Sequence, residues 1–158
     1  MTVTIVPASG ADEMDVVRQL FREYQQALGI SLCFQGFDLE LAALPGDYAP
    51  PSGGLWLALA DARPVGCVGM RPLGDGRSEM KRLYVQPSMR GLGVGRRLVE
   101  TVLAAAAAAG STHLCLDTLP SMNEAQHMYR GMSFVECVPY GGHALPGTVF
   151  MERALHPA

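Results

Sequence analysis

The segment Arg90-Gly91-Leu92-Gly93-Val94-Gly95-Arg96-Arg97 constrains this chain more than any other. It follows an apolar, strand-like run, Met80-Lys81-Arg82-Leu83-Tyr84-Val85, and leads directly into a long Ala/Leu/Val stretch with helical spacing. Glycines at every second position let the backbone approach a ligand closely. A helix N-terminus then presents unpaired N–H groups and the positive end of its dipole to an anion. Strand, glycine loop and helix in that order make a cradle for a diphosphate. Spacing excludes two common cradles. A Walker loop needs a Lys-Ser/Thr pair after Gly-x-x-x-x-Gly, and none follows here. A dinucleotide fingerprint needs Gly-x-Gly-x-x-Gly, yet its last place falls on Arg96 counted from Gly91 and on Leu98 counted from Gly93.

The rest of the chain arranges itself around this loop. With 158 residues, the chain is expected to form a single domain over 1–158 that buries about two-thirds of its unfolded surface. Val3 to Val6 reads as a strand. Ser9 or Asp12 would cap an amphipathic helix carrying Met14, Val17, Leu20, Phe21, Tyr24 and Leu28 on one side and ending at Gly29. Phe34 to Asp38 reads as a loop, and Leu39 to Leu44 as a short helix stopped by Pro45-Gly46. Three antiparallel strands follow, Leu55–Ala60, Val65–Met70 and Glu79–Val85. In the last of these Met80 and Leu83 differ by an odd number, so a β-bulge near Lys81-Arg82 is needed to bring both to one face. The helix after the glycine loop stops at Gly110, and His113–Thr118 is then a strand reached by a helical crossover, hence parallel to the one before. Ser121-x-x-Glu124 has the form of a capping box for a last helix, and strands at Phe134–Val138 and Thr148–Glu152 close the chain.

Composition narrows the function classes. Apolar residues make up 49% and charged residues 17%, which excludes a disordered chain. A net charge of −3 gives no general attraction to nucleic acid or to an anionic membrane, so neither is an expected partner; Arg90, Arg96 and Arg97 form a local basic feature. The four cysteines are far apart, with no Cys-x-x-Cys pair and no His at ligand spacing, so no metal is expected and the compartment reads as reducing. With no signal-peptide pattern and no membrane-length apolar run, the expected location is cytoplasmic.

The pattern Arg90-x-x-Gly93-x-Gly95 after a strand ending in Val85-Gln86-Pro87 resembles the coenzyme A loop of the GNAT superfamily of acyl-CoA-dependent N-acyltransferases. The order β-α-α-β-β-β-α-β-α-β-β matches a GNAT domain across nearly the whole chain. The resemblance is strongest from Glu79 to Phe134, through Glu-Met-Lys-Arg-Leu-Tyr-Val, Arg-Gly-Leu-Gly-Val-Gly-Arg, Leu-Asp-Thr and Asn-Glu-Ala…Met-Tyr-Arg in succession. It implies an α/β (mixed α+β) fold: a central, mostly antiparallel twisted sheet with one parallel pair splayed at a β-bulge and helices on both faces. It also implies an N-acetyltransferase using acetyl-CoA as co-substrate, with no metal. One departure stands out. Where the family has Leu-Gly-Phe after the last helix, this chain has Met132-Ser133-Phe134, which would place a serine in a left-handed turn position at a strain of about 1 kcal/mol.

The chemistry so implied needs an arm site, an anion anchor, a base and an acid. Backbone groups of Leu83, Tyr84 and Val85 at the bulge would pair with the pantetheine arm, as an added strand would. The diphosphate would be held by N–H groups of Gly91, Leu92, Gly93, Val94, Gly95 and Arg96, with Arg90 or Arg96 adding charge, and Asn123 resembles a residue that hydrogen-bonds the same ligand. An amine of pKa about 10 is mostly protonated at pH 7, and freeing its lone pair costs about 4 kcal/mol. Glu79 lies where the family often places a base, and Asp117 is a second candidate. Tyr129 matches the tyrosine that faces the coenzyme sulfur and would act as acid. The acceptor, a small-molecule amine or amino acid, would meet Phe34, Phe37 and Tyr140, with Tyr24, Gln35, Asp38, His143 and Leu145 nearby. A non-catalytic acyl-CoA sensor and an acetyltransferase acting on a protein or aminoacyl-tRNA are the competing readings, and a homodimer stays open.

Overall fold

The computed structural model describes residues 1–32, 36–141 and 144–155. Phe34, Gln35 and His143, expected near the acceptor, lie outside the described residues. The element order is β1 (Val3–Pro7), α1 (Ala11–Leu28), α2 (Phe37–Ala43), β2 (Gly54–Ala60), β3 (Arg63–Gly74), β4 (Arg77–Val85), α3 (Val94–Ala108), β5 (His113–Thr118), α4 (Asn123–Gly131), β6 (Val135–Glu136) and β7 (Val149–Ala154). The strands form one seven-stranded sheet in the order β1-β2-β3-β4-β5-β7-β6. Its neighbours are antiparallel except β4 and β5, which are parallel because α3 crosses between them. This is the expected fold.

Each face of the sheet carries its own core. Met14, Val17, Leu20 and Phe21 of α1 and Phe37 and Leu41 of α2 bury one face; Val94, Leu98, Val99 and Val102 of α3 and Tyr129 of α4 bury the other. The central strands β2 and β3 are covered on both sides, which explains their nearly continuous apolar runs. Two expected caps do not form. α1 begins after Gly10, at φ 84, and no side chain caps it. α4 begins after Met122, again without a side-chain cap, so Ser121 and Glu124 make no capping box. Instead, Gln126 Nε2 reaches back 2.8 Å to the Leu119 carbonyl and ties the helix to the end of β5.

The expected bulge is present. Gly69 pairs with Lys81 and Cys67 with Tyr84, so β4 spends three residues where β3 spends two. Arg82 absorbs the extra one at φ 61, a left-handed conformation that costs a non-glycine residue about 1–2 kcal/mol. Met80 and Leu83 thereby face the α3/α4 core together, while Tyr84 joins the α1/α2 core. The Arg82 side chain is buried and held from α2. Its Nη2 and Nε donate to the two carboxylate oxygens of Glu40 at 2.9 and 3.0 Å, and its guanidinium lies 5.0 Å from the centre of the Phe37 ring. The Tyr48 hydroxyl donates to the same carboxylate at 3.0 Å. Burial alone would raise the Glu40 pKa; the hydrogen bonds and charge of Arg82 outweigh it and hold the carboxyl below its ordinary 4.5.

The serine anticipated in a left-handed turn is also found there. Ser133 adopts φ 71 just beyond α4. Phe134 N–H donates to the Tyr129 carbonyl at 3.0 Å and Ser133 N–H to the Arg130 carbonyl at 3.1 Å, the two bonds of a Schellman motif. The apolar contact that accompanies such a motif is here the edge-on packing of Tyr129 against Phe134, with ring centres 5.7 Å apart.

Two stability predictions follow from these geometries. Replacing Glu40 with Ala leaves buried Arg82 without its carboxylate and should cost about 3–5 kcal/mol in urea unfolding at pH 7, with Glu40→Gln costing less. Because the folded-state pKa of Glu40 is depressed, the pair's contribution is complete above its ordinary pKa and lost as pH falls through the folded value. Wild-type stability should therefore hold from pH 7 to about 5 and fall below, and Glu40→Gln should show a shallower acid-side fall. Ser133→Gly should raise stability by about 1 kcal/mol in the same urea unfolding by removing the left-handed strain.

Candidate active site at the split between β4 and β5

The parallel ladder between β4 and β5 lasts for Arg77↔His113, Ser78↔Leu114 and Glu79↔Cys115, then stops. The Arg82 bulge bends β4 away just beyond that point, and the backbone from Met80 to Val85 has no β5 partner. Two cavities occupy the split. The larger is a cleft of about 820 Å³ between β4, the glycine loop, the start of α3 and the start of α4. Leu83, Tyr84, Val85, Arg90, Gly91, Gly93, Val94, Gly95, Arg96 and Asn123 all line it. Leu92, expected with them, does not; its side chain is 58% exposed.

The cleft suits an extended ligand with an anionic end. Gly91 and Gly93 take φ 79 and 80, and the first helical bond of α3 runs from Arg97 N–H to the Gly93 carbonyl at 3.1 Å. The N–H groups of Val94, Gly95 and Arg96 therefore have no acceptor within the helix. Arg90 donates through Nε to the Val85 carbonyl at 3.0 Å and Arg96 to Glu100 at 3.1 Å, so both are anchored at the cleft with further N–H groups to offer. Arg97, the third cation of the basic segment, is used elsewhere: its Nη1 holds the Val3 carbonyl of β1 at 2.7 Å. The unpaired β4 edge and the helix N-terminus fit an amide-rich arm and a diphosphate, the two parts of coenzyme A.

The smaller cavity, a chamber of about 50 Å³, lies where β4 and β5 part. Tyr24, Leu28, Leu83 and Met122 line both cavities, so the two adjoin. Tyr129 lines the chamber; burial, then the neighbouring Tyr24 and Asp117, push its pKa up. Asp117 and Lys81 line it too, with Lys81 Nζ 3.9 Å from the Asp117 carboxylate. Burial lowers the Lys81 pKa, and the carboxylates of Asp117 and Glu79 act against that. Thr118 completes the polar wall with a buried hydroxyl that has no hydrogen-bond partner among the described residues.

Other expected residues are placed differently. Glu79 is 3% exposed, accepts a 2.9 Å hydrogen bond from Arg71 Nε, and lines neither cavity. Tyr140 lines neither cavity; it packs edge-on against Phe150 at 5.0 Å, and burial, then Glu79 and Asp117, raise its pKa. Phe37 is 1% exposed beneath the Arg82 guanidinium, in the core rather than on a wall. Asp38 is exposed in the first turn of α2, whereas Leu145 does line the chamber. Lys81, Thr118, Arg82 and Glu40 had not been singled out as site residues. One signal was present, since Lys81-Arg82 puts two cations inside a strand otherwise fit for burial.

Comparison with known proteins agrees with this arrangement. A profile of the Acetyltransferase (GNAT) family matches residues 16–134. An uncharacterized N-acetyltransferase of Schizosaccharomyces pombe is 36% identical over 142 residues, covering 89% of this chain and 87% of that protein. An IAA acetyltransferase of Azospirillum brasilense is 33% identical over 144 residues, covering 89% and 92%. Among solved structures, a GNAT-family acetyltransferase of Staphylococcus aureus superposes with a TM-score of 0.81 at 21% identity, over 98% of this chain and 100% of that one. The PaiA N-acetyltransferase of Thermoplasma acidophilum, solved with coenzyme A, superposes with a TM-score of 0.75 at 14% identity, over 98% and 99%. The chain belongs to the GNAT acetyltransferase family.

Proposed function

We propose that this acetyltransferase draws acetyl-CoA into the larger cleft and transfers the acetyl group to the primary amine of a small molecule or amino acid in the adjoining chamber, by direct attack in a ternary complex. The junction carries this reading: a cleft lined by an unpaired strand edge and a glycine loop adjoins a chamber bearing both a carboxylate and a buried tyrosine hydroxyl. The coenzyme supplies the activated acyl group, and the chain's own residues bind, orient and move protons. The β4 edge from Leu83 to Val85 aligns the arm, and the N–H groups between Gly91 and Arg96, with Arg90, Arg96 and Asn123, hold the anionic end.

Deprotonation of the acceptor falls to the chamber carboxylate. Asp117 lines the cavity and is held near Lys81, whereas Glu79 is engaged by Arg71 off both cavities. Asp117 therefore takes the proton directly or through water, and Glu79 acts only at the far end of such a relay. Tyr129 has its pKa raised, so its hydroxyl stays protonated across the working pH range. It stabilises the departing thiolate by donating a hydrogen bond, and net proton delivery draws on the proton released by the amine.

Three substitutions test the assignment, each followed by thiol release from acetyl-CoA. Tyr129→Phe should lower kcat by about 10²-fold or more while the Kd for coenzyme A by calorimetry stays within about threefold; full activity at every pH would remove the acid role. Asp117→Asn should cost about 10²-fold in kcat/KM, and a change under about threefold would return the base role to Glu79 or to water alone. Gly93→Ala forces a side chain into φ 80 at about 1–2 kcal/mol and should weaken coenzyme A binding about tenfold. Saturable acetyl-CoA binding with no turnover on any amine would instead mark a sensing domain.

A further inference from the structure

Resting on the acetyl-transfer reading above, we propose that the acceptor amine carries its own carboxylate, in the manner of a free α-amino acid with an apolar side chain. Lys81 and Thr118 hold that carboxylate, and Asp117 receives the ammonium.

The charges on the chamber wall point this way. Among the described residues, its charged lining groups are Lys81, Arg82 and Asp117. Glu40, which neutralises Arg82, lies behind it and does not line the cavity. With Arg82 neutralised by Glu40, the wall presents one cation and one anion to a ligand, Lys81 and Asp117. A diamine or a lysine-rich tail would set a second cation against Lys81, whereas an acceptor bringing one ammonium and one carboxylate meets a complement for each.

Geometry and burial add to this. Lys81 Nζ and the Asp117 carboxylate are 3.9 Å apart with the Lys81 side chain 6% exposed, a spacing at which one molecule can engage both. An α-amino acid suits it, because its ammonium and carboxylate stand on the same carbon. Thr118 is the independent observation: its hydroxyl is buried on the same wall with no hydrogen-bond partner among the described residues, and such a group in a cavity awaits a ligand or a water. A carboxylate can accept from it and from Lys81 together. Burial disfavours the Lys81 ammonium, so a second carboxylate beside it would restore the charged form that binds it. Leu32, Leu119 and Leu145 line the chamber and Leu28 and Leu83 line both cavities, so a hydrocarbon side chain larger than the chamber's volume of about 50 Å³ would pack along this apolar wall toward the cleft.

The test compares matched acceptors that differ only at the carboxylate: L-leucine, L-leucinamide and 3-methylbutylamine, and the corresponding sets built on methionine and phenylalanine. Thiol release from acetyl-CoA gives kcat/KM for each, and calorimetry gives acetyl-CoA binding. The free acid should exceed its amide and its decarboxylated amine by about tenfold or more, mostly through KM, and Lys81→Met should collapse that ratio toward one. Equal use of acid, amide and amine by the wild-type protein overturns the carboxylate inference and leaves acetyl transfer standing. A preference for the acid that survives Lys81→Met overturns the role of Lys81. Turnover of none of them, with acetyl-CoA still bound, overturns this inference, and the acetyl-transfer reading falls with it only if a wider amine panel also releases no thiol.

Discussion

One extra residue in β4, and the ion pair that holds it, set the terms for the rest of the site. Successive side chains in a strand point to opposite faces, so a strand that slipped by one residue beyond Lys81 would send Leu83 and Val85 into the α1/α2 core and Tyr84 into the other. The bulge prevents this by placing Arg82 in a left-handed conformation, which a non-glycine residue does not adopt without support. The support comes from α2, through the two hydrogen bonds of Glu40 and the face of Phe37. A buried ion pair contributes little net stability compared with well-packed apolar residues, but breaking one side of it is costly. Here its value is register: it fixes which backbone groups of β4 are left free where β5 departs. Helix α2 thus controls the shape of the strand edge that faces the larger cleft.

The same stretch explains how a polar site survives in the interior. Glu79, Lys81 and Arg82 are all buried, and each has an opposite charge from another element: Arg71 on β3, Asp117 on β5 and Glu40 on α2. Isolated, each would leave a costly unpaired charge in the interior; paired, they keep charge in a region where water is scarce and Coulombic effects are strong. The pairs differ in tightness. Arg71–Glu79 and Arg82–Glu40 are in hydrogen-bond contact at 2.9 Å, whereas Lys81 and Asp117 stand 3.9 Å apart. The two tight pairs behave as structure. The loose one lines the chamber.

What could be read in the sequence was what depends on neighbours along the chain. The glycine loop, the helix that follows it and the parallel strand were legible because each is fixed by local backbone chemistry and by crossover handedness. The bulge was legible because Met80 and Leu83 break the parity of a strand. The partners were not. Glu79 was one candidate base, but that Arg71 opposes it in the β3/β4 register and donates to one of its carboxylate oxygens could not be read along the chain. Phe37 was expected on the acceptor wall, but α2 starts at that residue and turns its ring under Arg82. Ser121 and Glu124 have the capping-box spacing, yet the helix begins one residue too late for Ser121 to cap it. Lys81 was passed over because only the meeting of β4 and β5 reveals the carboxylate that lets a lysine lie there.

Tyr129 shows how a feature that departs from the family pattern can still serve the site. The Schellman motif at the end of α4 uses the Tyr129 carbonyl as acceptor for Phe134 N–H and packs the Phe134 ring against the Tyr129 ring. Both constraints act on a residue that lines the chamber, one on its backbone and one on its ring. A glycine at position 133 would make the same turn with less strain, so the serine weakens the motif by a small amount without altering its geometry. The ring remains clamped because the clamp lies in Phe134 and in the carbonyl of Tyr129 itself. A ring held in this way has little freedom to reorient. Burial has the complementary effect, since a phenol whose pKa is raised keeps its proton.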